Sequence, residues 1–252
     1  MTNASEPQTT GKNFRARAKC LLNENLPANA VNYILWPWRK LYWYRRHSIS
    51  PKKNARIAAR IVASGRPIKL ELGCWKRKGM EDWIASDWKG SGDIQLDLTK
   101  PLPFPDNSVE KIYSSHVLEH FSYPHPMRDL LSECLRILKP GGSFSVAVPN
   151  ARIFINAYLN DNDFAKNEFC NYEVGLRYRS KIDYLNFVAY LGGEHKHMFD
   201  EEALVEVLVD SGFVDARRRD FDPSVDVEYR RSESIYAIAF KDQRGVLGES
   251  QS

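Results

Sequence analysis

The sequence has few of the features that mark membrane spans, disulfide frameworks or metal-binding cysteine clusters. No apolar run approaches the roughly 20 residues that a membrane-spanning helix needs. The 4 cysteines are widely spaced and form no CxxC pair, which argues against a zinc site or a disulfide framework and indicates a reducing compartment. Residues 1–10 are polar and lack the apolar core of a signal peptide, so we expect a cytoplasmic protein. Because the cysteines form no cluster, we also expect no bound metal.

A strong charge of one sign is also lacking. The formal net charge is +4, because 36 basic residues nearly balance 32 acidic ones. This excess is too small to require a nucleic-acid partner. The length of 252 residues fits one large α/β domain with extensions as well as it fits two small domains.

One segment near the N-terminus stands out by its composition. Residues 36–46 combine aromatic and basic side chains, a mixture that suits a membrane interface carrying anionic lipid. The alternative is that the tryptophans of this segment pack onto the core as an N-terminal cover. Both interpretations remain open at this point.

The middle of the chain alternates between short apolar segments and helical patterns. Ser50 and Pro51 predict a helix start, and residues 127–138 place apolar side chains at helical spacing. Strands that alternate with helices predict a doubly wound α/β fold: a seven-stranded, mostly parallel, Rossmann-like sheet with helices on both faces. The predicted strands are 68–72, 83–87, 94–98, 109–114, 143–148, 213–220 and 234–240.

The same pattern predicts the domain organisation. We expect an N-terminal extension over 1–50, one domain over 51–242 and a disordered tail over 243–252. Residues 151–198 are aromatic and charged without a clear period, and they are expected to form an irregular insertion or lid. Asp200 then predicts a helix cap.

Polar and small residues follow the predicted strands. In an open α/β sheet, ligands bind outside the carboxyl ends of the strands. Gly73 permits a backbone path close to a ligand, and the carboxylate of Asp87 can accept two hydrogen bonds from ribose hydroxyls. By themselves, one glycine and one acid fit a tight turn and a surface aspartate equally well.

Three ordered motifs make the signal specific. They are the segment 97–108, the "HVLEH" sequence at His116–His120 and the "LKPGG" sequence at Leu138–Gly142. Over about residues 68–150 the sequence resembles the class I methyltransferases that depend on S-adenosylmethionine (SAM). It is most similar to the small-molecule branch, whose fourth strand runs into an "HVLEH" turn, and the similarity continues weakly over 195–213.

This resemblance implies roles for the first two strand ends. Glu71 and Gly73 match the motif whose backbone lies against the methionine part of SAM. Asp87 matches the acid that holds the ribose.

The resemblance also implies roles for the residues at the ends of the next two predicted strands. Asp97 matches the acid that accepts from the adenine amino group, and Leu98 matches the apolar residue that covers the ring. Ser114, Ser115 and His116 match the segment that passes under the sulfonium.

Two parts of the motifs do not carry an implied ligand contact. Glu119 and His120 are expected to cap or brace the helix that follows them. At Trp75 the sequence departs from the family pattern, which usually has a second glycine there. The basic residues 76–78 either bind the methionine carboxylate or form a solvated loop.

Methyl transfer to an oxygen acceptor needs a base, and histidine is the usual choice near neutral pH. The candidates are His116, on the cofactor side, and His195 and His197, at the end of the insertion. Each has a structural alternative, as a packed turn residue or as a hydrogen-bonding group at a helix entry.

The insertion is the predicted acceptor side, with aromatic walls for a sugar ring or another small acceptor. The basic residues Arg177, Arg179 and Lys181 could meet a phosphate or carboxylate on that acceptor, and Gly192-Gly193 could form a hinge. An arm that makes a dimer contact is the alternative. The aromatic residues are Phe154, Tyr158, Phe164, Phe169, Tyr172, Tyr178, Tyr184, Phe187 and Tyr190.

Three other functions compete with this hypothesis. A Rossmann-type oxidoreductase is disfavoured, because no G-x-G-x-x-G follows the first strand. A non-catalytic relative of the methyltransferases would account for Trp75. A nucleic-acid methyltransferase is disfavoured by the modest charge and by Ser114-Ser-His116, which stands where an Asn-Pro-Pro-Tyr-like motif would be expected.

Overall fold

The structure is a computed structural model that describes residues 50–74, 80–160 and 182–243. The aromatic and basic segment 36–46, the loop with Trp75, the basic triplet of the insertion and nearly all of the predicted tail lie outside these ranges.

The described residues form one sheet flanked by helices. The helices are α1 (Pro51–Ala63), α2 (Met127–Ile137), α3 (Ala151–Leu159), α4 (Ile182–Tyr190) and α5 (Glu201–Asp210). The strands are β1 (Lys69–Leu72), β2 (Ile84–Ser86), β3 (Val109–Ser115), β4 (Leu138–Pro149), β5 (Val214–Arg218) and β6 (Ser234–Phe240). Among the described residues, no helix combines the length and the apolar character that crossing a membrane requires.

The sheet has the order β2-β1-β3-β4-β6-β5. The first four strands pair in parallel, and β6 runs antiparallel to both of its neighbours. Helix α2 forms the connection between the parallel strands β3 and β4, and the mostly parallel sheet flanked by helices agrees with the predicted Rossmann-like fold.

Local capping defines the predicted helix starts. The Ser50 hydroxyl accepts from the backbone N–H of Lys53 at 3.4 Å, and Pro51 occupies the first turn of α1. The Asp200 carboxylate accepts from the backbone N–H of Ala203 at 2.9 Å and begins α5. Both caps satisfy N–H groups that the helix itself leaves without partners.

The predicted strand 94–98 is wrong, and the described sheet has six strands rather than seven. Only Ile94 pairs with the sheet, through an isolated bridge to Ser86. Ile94 and Leu96 are buried in the core, so their alternation reflects packing and not a hydrogen-bonded ladder. The chain then turns at Asp97, whose carbonyl accepts from the N–H of Lys100 at 3.0 Å.

The insertion is more regular than predicted. Its described parts contain α3 and α4, which pack together through Phe154, Ala157 and Val188. Strand β4 begins at Leu138, directly after α2, which is earlier than the predicted start at residue 143.

The core lies between the sheet and the apolar faces of α1, α2 and α5. Leu70, Ile112 and Phe144 from three adjacent strands are fully buried. The ring of Phe144 stacks on Phe213 with centroids 5.6 Å apart. This packing holds the strands in register and so determines where their carboxyl ends lie.

Candidate functional site

The strand register brings the predicted site residues to one edge of the sheet. Leu72 of β1 pairs with Ser86 of β2 and with Ser114 of β3. The residues that follow these three are Gly73, Asp87 and Ser115. Because parallel strands end at the same edge, these positions adjoin one another.

Gly73 makes the turn out of β1 with a φ of 72°. A Cβ built at this position would lie 2.4 Å from Cγ2 of Val117, the residue that begins the turn after β3. Glycine is therefore required both by the backbone conformation and by the close approach of a neighbouring side chain.

Asp87 lies directly after β2 and is 7% exposed. Its Oδ1 accepts from the backbone N–H of Lys89 at 2.6 Å, which orients the carboxylate. The thiol of Cys74 lies near this group, and its pKa rises to about 11, first through burial and then through the charges of Asp87 and Glu71. The thiol is therefore neutral near pH 7, while Glu71 itself is buried in β1.

Asp97 and Leu98 follow the bridge at Ile94. The Asp97 Oδ1 accepts from the backbone N–H of Thr99 at 3.0 Å and from its hydroxyl at 2.7 Å. Leu98 packs partly buried against the core. The two residues thus occupy a turn at the carboxyl side of β2.

Ser114 and Ser115 end β3. The Ser114 hydroxyl is fully buried and has no hydrogen-bond partner among the described residues. Ser115 accepts from the Arg230 guanidinium, through its carbonyl and its hydroxyl, each at 3.2 Å. Sequence reasoning missed Arg230, which comes from the turn Glu228–Arg230 between β5 and β6.

His116 turns the chain away from β3 with a φ of 55°. Its Nε2 lies 2.8 Å from the Ser234 hydroxyl, and its Nδ1 lies 3.8 Å from Oε1 of Glu119. Burial, with the positive charge of Arg230, holds the pKa of His116 well below its usual range. The imidazole is therefore neutral at physiological pH.

Glu119 and His120 do not cap the next helix, which corrects the capping part of the expectation for these residues. Helix α2 begins after Pro126 without a side-chain cap. Instead, the Glu119 carbonyl accepts from the N–H of Lys196 at 2.7 Å and of His197 at 3.2 Å. The two residues contact the segment after α4, because the turn Leu118–His120 runs beside it.

His120 meets His195 in this contact. Their ring centroids are 4.9 Å apart in an edge-to-face arrangement. Burial raises the pKa of the Glu119 carboxyl to about 8, and burial lowers the pKa values of His120 and His195. His195 is 8% exposed and is enclosed by protein groups.

The ring of His197 does not take part in the contact between the rings of His120 and His195. Its ring packs between Phe199, at a centroid distance of 4.7 Å, and Tyr123, at 5.7 Å. Partial burial lowers the pKa of its imidazole.

The donor and acceptor groups at this edge fit SAM. Asp87 and Asp97 supply carboxylates for hydroxyl and amino groups, and Leu98 supplies an apolar surface. The Ser114 hydroxyl, buried without a partner among the described residues, is a further polar atom at the same edge. Gly73 keeps the adjoining backbone free of a side chain.

Part of the sequence matches a known protein family. Residues 77–146 match the methyltransferase domain family. The match begins at the loop after β1 and ends within β4. Residues 77–146 are therefore similar to methyltransferase domains, the family that the ordered motifs of the sequence also resemble.

Two curated relatives carry the same description. The chain is 32% identical over 132 residues to a probable S-adenosylmethionine-dependent methyltransferase of Mycolicibacterium smegmatis, covering 45% of this chain and 48% of the relative. It is 25% identical over 193 residues to one of Mycobacterium tuberculosis, covering 69% of this chain and 56% of the relative. The chain thus spans about half the length of these relatives.

Among solved structures, a SAM-dependent methyltransferase from Archaeoglobus fulgidus is similar at 17% identity, with a TM-score of 0.42. The similarity covers 80% of this chain and 99% of the other.

Proposed function

We propose that the protein transfers the methyl group of SAM to a small-molecule or glycan acceptor. The observation that carries the proposal is the convergence of Gly73, Asp87 and Ser115 at one sheet edge, next to the turn at Asp97. Strand register, rather than sequence proximity, produces this convergence.

In this proposal each group has a defined task. The Asp87 carboxylate accepts hydrogen bonds from the ribose hydroxyls, and Asp97 accepts from the adenine amino group while Leu98 covers the ring. The backbone at Gly73, after Glu71, lies against the methionine part. Ser114 and Ser115 line the place where the sulfonium lies.

SAM, when bound, supplies a methyl group that its positive sulfur already activates. Bound SAM would allow an in-line displacement at this carbon, in which the acceptor oxygen would replace the sulfur and S-adenosylhomocysteine would be the leaving group. The protein mainly has to position the acceptor, which is a large effect on its own.

The acceptor proton needs a destination. Among the three candidate histidines we retain His116 as the base, because it follows Ser115 directly at the cofactor edge, although its lowered pKa makes its imidazole a weak proton acceptor. His195 binds a backbone carbonyl and His197 packs between two rings, which favours structural roles for both.

The described part of the insertion supports a smaller aromatic surface than predicted. Phe154 and Phe187 are buried, whereas Tyr158 and Tyr190 are 38% and 61% exposed. Among these four described rings, only the two exposed ones are available to an acceptor, and Phe164, Phe169, Tyr172, Tyr178 and Tyr184 lie outside the described side chains. A sugar hydroxyl fits such rings, because a flat aromatic face packs against a sugar ring.

Calorimetry with SAM and S-adenosylhomocysteine tests the cofactor half of the proposal. We expect both to bind, and Asp87→Asn to weaken binding about ten- to a hundredfold, since a charged hydrogen bond contributes about 1.5–3 kcal/mol. Asparagine keeps an oxygen for the N–H of Lys89. The control is Glu81→Gln, an exposed carboxylate in the connection before β2, which should bind like wild type.

The remaining hypotheses predict other outcomes. A non-catalytic relative would bind neither compound although it is folded. A nucleic-acid methyltransferase would release S-adenosylhomocysteine with RNA or DNA but not with nucleotide sugars or glycans. Absence of binding by the folded protein would contradict the cofactor part of the proposal. Turnover with nucleic acid alone would contradict the acceptor part.

We further propose that residues 36–46 contact an anionic membrane surface at the cytoplasmic face. Their aromatic and basic composition supports this, and the alternative is that they cover the core. Co-sedimentation of the full chain with phosphatidylserine vesicles at low salt should show binding. A protein that stays in the supernatant would retire the membrane proposal.

A further inference from the structure

Three metal-ligating side chains meet outside the predicted cofactor edge. Glu119 and His120 belong to the turn after β3, and His195 follows α4. One potential ligand atom from each, a carboxylate oxygen and two imidazole nitrogens, lies within 4.8 Å of the others. The packing of two distant chain segments creates this cluster.

The carboxylate of this cluster is buried without compensation. Glu119 is 2% exposed, and neither of its carboxylate oxygens has a hydrogen-bond partner among the described residues. A buried carboxylate without hydrogen bonds or a cation is costly. The guanidinium of Arg230, whose charge acts on Glu119, donates its described hydrogen bonds to Ser115.

The two imidazoles are oriented as metal-binding histidines usually are. Nδ1 of His120 lies 3.2 Å from the Glu194 carbonyl, and Nδ1 of His195 lies 2.7 Å from the Val188 carbonyl. A carbonyl can only accept, so each Nδ1 carries the proton and each Nε2 keeps its lone pair. Hydrogen bonding of the second nitrogen to a backbone carbonyl is typical of histidines that bind metals.

We propose that Glu119, His120 and His195 bind one divalent transition-metal ion. Two imidazoles and one carboxylate suit zinc or iron better than magnesium or calcium, which prefer oxygen ligands. Three protein ligands leave a position open for water. Nδ1 of His116, 3.8 Å from Glu119 Oε1, adjoins the cluster.

Binding requires a small contraction of the cluster. Ligand atoms around zinc at about 2.1 Å stand roughly 3.4 Å apart in a tetrahedral site, less than the 4.8 Å limit of the cluster here. His120 is partly exposed and can move toward the other two side chains. The ion then joins the turn Leu118–His120 to the segment after α4.

The test uses the metal-depleted, untagged full chain titrated with Zn²⁺. We expect one ion per chain and a rise in melting temperature, because a ligand that binds only the folded state stabilises it. Co²⁺ absorption should show nitrogen and oxygen ligands without the charge-transfer band of a thiolate. That spectrum excludes binding by the cysteines.

Two variants should each lose at least tenfold in Zn²⁺ affinity: Glu119→Gln and His120→Asn. Removing the buried carboxylate should not lower the stability of the metal-free chain, so Glu119→Gln separates loss of the ligand from loss of folding. The control is His125→Asn, since His125 is exposed and pairs only with Asp129 among the contacts described.

The proposal is overturned if the folded wild type binds no Zn²⁺, or if both variants bind it like wild type. Equal loss in His125→Asn would place the ion elsewhere and would also overturn it. SAM binding to the metal-depleted chain is measured separately, so a failure of the metal site is distinguishable from a failure of the proposed activity.

Discussion

At the scale of single residues, Gly73 shows how one position can meet two independent requirements. Its φ of 72° lies in the left-handed region, and a Cβ there would overlap Val117. Gly65 has a similar φ of 67°, but a Cβ added to it would meet no atom within 4 Å. Substitutions at these two glycines therefore separate the cost of a left-handed backbone from the cost of a close contact.

We expect Gly65→Ala to lower the free energy of unfolding by about 1–2 kcal/mol, the cost of the left-handed conformation alone. Gly73→Ala should cost about 2–5 kcal/mol, because overpacking adds about 1–3 kcal/mol to the cost of the left-handed conformation. Urea unfolding of both variants measures the difference.

The close contact itself is tested by a second substitution. In a Val117→Ala background, which removes the Cγ2 atom, the added cost of Gly73→Ala should fall toward that of Gly65→Ala. Equal costs for the two glycine variants in the wild-type background would contradict the packing argument.

At the scale of elements, one ion-paired cluster attaches the connection before β3 to helix α2. The Glu133 carboxylate accepts from the Leu102 N–H at 2.7 Å and from Arg136 at 2.8 Å. Arg136 also donates to the Phe104 carbonyl at 2.9 Å and pairs with Asp106 at 2.7 Å. These bonds hold a proline-rich connection that has few N–H groups of its own.

This cluster should make stability depend on pH. Hydrogen bonding to Arg136 lowers the pKa of Glu133 below its ordinary value of 4.5. A depressed pKa means that the carboxylate stabilises the fold above the unfolded value, and that this contribution disappears as the pH falls through the folded value.

Glu133→Gln should therefore lower the free energy of unfolding by about 1–2 kcal/mol at neutral pH. The difference from wild type should shrink as the pH falls below 4.5 and through the lowered pKa of Glu133, because the protonated carboxyl is uncharged like the glutamine side chain. Glu206→Gln, at an exposed position of α5, is the control. A pH-independent difference for Glu133→Gln would contradict the electrostatic explanation.

At the scale of the whole molecule, one buried ion pair connects the antiparallel side of the sheet to its parallel centre. The Asp226 side chain has no exposed surface, and Arg219 is 14% exposed. The two form paired contacts of 2.5 and 2.7 Å, and the Tyr113 hydroxyl of β3 donates to Asp226 at 3.0 Å. Asp226 lies between β5 and β6, so its hydrogen bond with Tyr113 joins segments that are 113 residues apart in sequence.

Asp226→Asn should lower the free energy of unfolding by about 3–5 kcal/mol, because it leaves a buried arginine without its charge partner. The loss should appear as a cooperative shift of the whole denaturant transition. The matched control is Glu228→Gln, whose partner Arg231 lies at 3.5 Å and is 62% exposed. That exposed pair should contribute about 0–1 kcal/mol, and a similar loss in both variants would contradict the role of burial.

Much of the fold and part of the candidate site were determined by the sequence itself. The caps at Ser50 and Asp200 are local, since each side chain bonds a backbone group only three residues away. Periodicity and turn residues predicted the doubly wound sheet, and the positions after its strands predicted Gly73 and Asp87. These features follow from short-range sterics and hydrogen bonding, which a linear pattern carries.

Only the tertiary structure decided the rest. Segment 94–98 has a strand-like pattern but packs as a turn, because burial of alternate residues does not require a paired neighbour. Arg230 reaches Ser115 across 115 positions of the chain, and His120 reaches the carbonyl of Glu194 across 74. Such contacts depend on how helices and strands pack in three dimensions, and no local periodicity encodes them.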